Sequence, residues 1–126
     1  MPRRTALGLD VNRLHLVLAV LEKRLSLHLG QTDVYAKLGG GLVLRDPGLD
    51  LGLAAAILSS HYDRPLPEAA AFWGELDLNG QVRPVAGQDI RERQAKRLSF
   101  RPLVHAGVCP SLAVLQRELF GRGGPR

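Results

Sequence analysis

An α+β sandwich, a sheet with a few helices packed on it, is the fold class this 126-residue sequence predicts, and three features predict it. Apolar residues recur at helical spacing after Asp10, at Leu14, Val17, Leu18, Leu21 and Leu25. Short runs, Val34–Leu38 and Ala69–Leu76 among them, read as strands bounded by glycine and proline. Asp77-Leu78-Asn79-Gly80-Gln81 carries the Asn-Gly hairpin signal, whose type I′ turn needs positive φ at both central residues. Strands joined partly by hairpins and partly through helices place the chain among two-layer mixed folds.

The elements follow in order. Asp10 is a helix cap, and a helix is expected over Val11–Leu25, with Arg13, Glu22, Lys23 and Arg24 largely off its apolar stripe. Gly30 to Asp33 breaks the pattern. A strand follows over Val34–Leu38, then a bend at Gly39-Gly40-Gly41, and an extended run resumes at Leu42-Val43-Leu44. Asp46-Pro47-Gly48 is a breaker. From Leu49 to about Ser60 the chain is apolar nearly all round, which predicts a buried helix. After the Tyr62–Pro67 loop, Ala69–Leu76 reads as one strand, and Val82–Val85 as its hairpin partner. Gln88–Leu98 is a strongly charged helix, Arg101–His105 a short strand, and Leu112–Phe120 a last helix capped by Ser111. The expected organisation is one domain, residues 1–120, with a basic tail at 121–126.

Composition narrows the function classes. The lone cysteine, Cys109, leaves no intrachain disulfide and no cysteine-rich metal site. No run approaches the roughly 18 apolar residues of a membrane span. The opening Met1-Pro2-Arg3-Arg4-Thr5 is too short and polar for a secretory signal, so the expected location is the cytoplasm. Aromatics are only 5% of residues, which argues against base stacking as the main business. A net charge of +5 suits a polyanionic partner and suits plain solubility equally well.

Individual motifs are weighed the same way. Gly39-Gly40-Gly41 lacks the lysine and hydroxyl residue of a phosphate loop, and reads as a bend. His15, His28, His61 and His105 show no ligand spacing. Cys109 has no histidine in a dyad pattern and reads as a buried thiol. Ser59 and Ser60 close a helix, where hydroxyls usually serve the backbone. The cations are more informative: Arg83, Arg91, Arg93, Lys96, Arg97 and Arg101 crowd one stretch, and Arg3, Arg4 and Arg13 open the chain. Such side chains suit phosphate contact, and equally a solvated face paired with Asp89 and Glu92.

Three segments together carry a resemblance. The first runs from Pro2-Arg3-Arg4-Thr5-Ala6 through Gly8-Leu9-Asp10 and Arg13-Leu14 to Leu18–Arg24. The second runs from Asp33-Val34-Tyr35 through Gly39-Gly40, Asp50-Leu51 and Ser59-Ser60 to Asp63-Arg64-Pro65-Leu66-Pro67. The third is the hairpin Gly74–Val85. They resemble the Lon-protease-like C-terminal domain of the RadA/Sms family of DNA repair proteins. The hairpin is similar to that of ComM-type helicases and Lon protease as well.

The resemblance implies a Lon proteolytic-domain-like fold, a two-layer β-α-β fold of ribosomal-protein type. It also implies lost chemistry. Lon uses a Ser–Lys dyad; Gly48 stands at the serine position and Asp89 at or near the lysine position. Glycine has no hydroxyl, and aspartate is no neutral amine base, so no catalytic residue is expected. The family is implied to be an ATP-driven branch-migration helicase acting in recombination with a RecA-type recombinase. Its ATP, magnesium and zinc belong to other domains, so this chain is expected to hold no cofactor or metal. The domain's implied partners are single-stranded or branched DNA and further copies of itself in a hexameric ring. The DNA contacts are assigned to Arg3, Arg4, Arg83, Arg91, Arg93, Lys96, Arg97 and Arg101. The family pattern also has a strand ahead of Pro2 and a longer segment before the last helix. An exposed sheet edge and one lost strand are therefore expected here.

Overall fold

The computed structural model describes residues 2–121; the rest of the expected basic tail, 122–126, lies outside the described residues. The domain is a small mixed α/β structure with four helices and three two-stranded sheets. Its elements are β1 (Arg4–Leu7), α1 (Val11–Leu25), β2 (Val34–Lys37), α2 (Leu49–Tyr62), β3 (Ala71–Phe72), β4 (Glu75–Leu76), β5 (Val82–Arg83), α3 (Gln88–Arg97), β6 (Leu103–Val104) and α4 (Leu112–Phe120).

α1 starts where the sequence puts it, because the Asp10 carboxylate accepts the Asn12 N–H at 2.9 Å. Its stripe of Leu14, Val17, Leu18 and Leu21 is buried, and so are Leu51, Ala54, Ala55 and Leu58 of α2. Together with Leu112 and Leu115 of α4 they form one core. Each fully buried leucine contributes about 2 kcal/mol. Ser111 caps α4 by accepting the Val114 N–H at 3.2 Å. No helix among the described residues is long and apolar enough to cross a membrane.

Four expectations need correction. The single sheet is three small ones: β1 with β2, parallel; β3 with β6, parallel; β4 with β5, antiparallel. β1 was not foreseen, since Arg-Thr-Ala-Leu shows no run of strand formers; it is set by pairing Arg4 with Val34 through Leu7 with Lys37. Leu42–Leu44 forms no strand, although the Leu44 N–H reaches the Gly8 carbonyl at 2.9 Å. The expected strand Ala69–Leu76 divides at Trp73-Gly74, where the chain leaves β6 and turns to β5. Gly74 sits at the division, donating to the Gly48 carbonyl and accepting from the Leu51 N–H, each at 3.0 Å, so the chain here is stitched to the start of α2.

The hairpin turn also differs from type I′. Gly80 has positive φ (77°) and Asn79 does not. The Asp77 carboxylate accepts the N–H groups of Asn79 and Gln81, both at 2.9 Å. Asp77 and Gln81 thus flank a three-residue loop closed by a left-handed glycine. The Gln81 N–H bond, with help from Arg83 and Asn79, holds the Asp77 carboxyl below the usual carboxylate range.

Candidate nucleic-acid interface and the surroundings of Gly48

The eight assigned cations divide into those engaged within the fold and those left open. Arg4 spends its guanidinium on loop carbonyls, reaching Thr32 and, at 2.8 Å, Leu29. Arg83 donates to the Asp77 carboxylate at 2.9 Å. Lys96 pairs with Glu92 at 3.1 Å, one helical turn away, and this lysine holds the Glu92 carboxyl below its usual range. Arg91 is fully engaged: its Nη1 meets Asp46 Oδ2 at 2.9 Å, its Nη2 meets Oδ1 at 3.1 Å, and its Nε donates to the Ala86 carbonyl at 3.0 Å. Arg13 pairs with Asp50.

Arg93, Arg97, Arg101 and Arg3 are exposed, and no carboxylate pairs with their side chains among the described residues. Arg93 and Arg97 stand four residues apart on α3 and share its outer face. Arg97 donates to the Gln94 side chain at 2.8 and 3.0 Å, which fixes its fork but leaves its charge unneutralised. Arg97 also lies in the last turn of α3, where the helix dipole favours a cation. Arg3 and Arg4 bond instead to the loop before β2, the Arg3 N–H donating to Asp33 Oδ1 at 2.7 Å.

Gly48, where the resemblance would put a lost serine, is buried at the start of α2, and its N–H donates to Asp46 Oδ1 at 2.9 Å. A Cβ at residue 48 would stand 2.8 Å from Arg91 Nη1 and 3.1 Å from Asp46 Oδ1. The side chain over Gly48 is therefore Arg91, while Asp89 is exposed on the outer face of α3. The sequence alone does not reveal this, because residues 89 and 91 point about 200° apart around the helix, just over a half-turn. The hydrogen bond from Arg91, aided by the Gly48 N–H, holds the Asp46 carboxyl below the usual carboxylate range against the opposing effect of burial.

The other candidate nucleophiles are occupied or isolated. Ser59 Oγ donates to the Arg64 carbonyl at 2.6 Å. Ser60 and His61 line a groove of about 850 Å³ between β2 and α2, and no hydrogen bond joins them among the described residues. That groove is mainly apolar, with Leu49, Leu53 and Ile57 on its floor, and holds none of the eight assigned cations. Cys109 is buried, its thiol directed at the Ser111 carbonyl, and burial pushes its pKa up, away from thiolate chemistry at neutral pH. His105 stacks on Trp73 with centroids 5.0 Å apart, and Trp73 Nε1 donates to Gln88 Oε1 at 2.7 Å. No group of three metal-ligating side chains gathers among the described residues.

No family model matches the chain. Among curated proteins it is similar to the DNA repair protein RadA of Rickettsia bellii, 42% identical over 103 residues, which are 82% of this chain and 23% of that relative. The RadA of Synechocystis is 43% identical over 82% of this chain and 20% of the relative. That of Streptococcus pyogenes is 45% identical over 78% of this chain and 22% of the relative. The chain thus spans about a fifth of the length of the curated relatives it matches.

Proposed function

This chain is a partial RadA-like domain, and on that premise we propose that it serves DNA repair as a non-proteolytic, Lon-like scaffold whose helix α3 contacts DNA phosphate. The observation that carries the reading is the open pair Arg93 and Arg97 on one helix face, with Arg101 just beyond the helix. Long cations without carboxylate partners give up little on meeting phosphate, whereas Arg83, Arg91 and Lys96 would first have to leave theirs. We therefore centre the interface on Arg93, Arg97 and Arg101 and treat Arg4 and Arg91 as structural. The location in keeping with this reading is the cytoplasm.

The non-proteolytic part rests on Gly48 and Arg91. The glycine offers no hydroxyl, and a guanidinium remains protonated at any working pH and cannot act as a base. ATP-driven branch migration, cooperation with a recombinase and a hexameric ring would belong to a whole protein of which such a domain forms about a fifth. The assembly reading has its own support in the exposed run Leu42-Val43-Leu44 and the unpaired outer edge of β2.

The test is single-stranded DNA binding by fluorescence anisotropy across a salt series. Arg93→Glu/Arg97→Glu is expected to weaken binding at least tenfold and to flatten its salt dependence. Equal affinity and slope in parent and variant would sink the assignment.

A further inference from the structure

α3 is held to the rest of the domain by little apolar surface. Ala95 is its one buried residue, and Ile90 is 61% exposed. What fixes the helix is polar. At its first turn Gln88 accepts the Trp73 indole N–H. One turn on, Arg91 reaches across 45 residues of sequence to both oxygens of Asp46. Gln88, Arg91 and Ala95 fall on one face of α3, and Arg93 and Arg97 on the other. Asp46 in turn is fixed to the start of α2 through the Gly48 N–H.

We propose that Asp46 and Arg91 form a latch that sets the pose of α3, and that Asp46 is thereby a positioning residue for the DNA contacts of Arg93 and Arg97. The inference rests on the phosphate-contact reading of α3. It runs against simple electrostatics: removing a negative charge from a DNA-binding domain should tighten binding, whereas releasing the latch should weaken it. Gly48 belongs to the same device, because only a residue without Cβ leaves the guanidinium its place beside Asp46.

The experiment compares the parent with Asp46→Ala, Gly48→Ala and Arg93→Glu/Arg97→Glu. Gly48→Ala changes no charge and displaces the Arg91 tip, so it stands in if Asp46→Ala fails to fold. Amide hydrogen exchange is read over residues 90–98, and affinity is read with a fluorescent oligothymidine at fixed salt. Both latch variants are expected to speed exchange in α3 and to weaken binding at least threefold, and the swapped pair Asp46→Arg/Arg91→Asp to recover part of each loss. Unchanged exchange in α3 overturns the latch. Faster exchange with unchanged or tighter binding overturns the positioning role, provided that Arg93→Glu/Arg97→Glu does weaken binding. If that double variant binds like the parent, the phosphate-contact reading fails, and the positioning role falls with it.

Discussion

Arg13 of α1 closes two edges of its guanidinium on the carboxylate of Asp50, a residue of α2 that is only 1% exposed; Nε stands 3.0 Å from Oδ1 while Nη2 takes Oδ2. The same Oδ2 accepts the Leu76 N–H at 3.0 Å, so one carboxylate ties two helices to the hairpin. Asp50 satisfies the rule that a buried charge must be both paired and hydrogen-bonded. The carboxylate in return raises the pKa of Arg13.

Breaking this junction on one side leaves a buried group without its partner. Asp50→Leu is expected to cost about 3 kcal/mol, and Arg13→Met a similar amount. The double replacement Arg13→Met/Asp50→Leu is expected to cost less than the sum of the two single changes. Urea denaturation of the four proteins closes the cycle. Additive losses would show that the two side chains act independently.

Acid should release the Asp46–Arg91 pair. The folded-state pKa of Asp46 is depressed. Its contribution is therefore present above the ordinary aspartate value of about 3.9 and is lost as pH falls through the lower folded value. Both partners are about one-third exposed, so the contribution is about 1 kcal/mol. The stability difference between parent and Asp46→Asn should be flat from pH 5 to about 8. It should close below about pH 4, as followed by thermal melts. A difference that persists unchanged into acid would mean that the charge of Asp46 contributes nothing.

The hairpin loop gives a backbone prediction. Gly80 has φ of 77°, and a Cβ there would stand 3.0 Å from Cγ of Arg24, whose guanidinium holds the loop through the Leu78 carbonyl and the Asn79 side chain. Gly80→Ala should cost about 1–2 kcal/mol from left-handed strain alone. Asn79→Ala, which keeps the backbone geometry, should cost under about 1 kcal/mol. Equal melting temperatures for Gly80→Ala and the parent would contradict the loop geometry.

The helices were legible because their information is local. The Asp10 and Ser111 caps and the Leu14–Leu21 stripe lie within a few turns of the backbone they organise. α2 runs to Tyr62, two residues beyond the expected Ser60, since Asp63 adopts the left-handed cap conformation that an apolar run does not announce. Strands were harder. β1 exists only because β2 lies beside it, and Ala69–Leu76 divides because Gly74 must meet Gly48 and Leu51 across the fold. The cations illustrate the same limit. Arg91 and Arg93 look alike in sequence, and what separates them is an aspartate 45 residues upstream of Arg91.

The crowding at Gly48 bears on how such a domain could change over generations. A serine introduced at position 48 would bring its Cβ into the Asp46–Arg91 pair. It would find beside it a guanidinium that cannot take its proton and a carboxylate made a weaker base by that guanidinium. Hydroxyl, base and an emptied Arg91 position would have to arrive together, and each change made alone disturbs the fold while returning no chemistry. Position 48 is thus guarded like a ratchet against any side chain, by a neighbour that already fills the space.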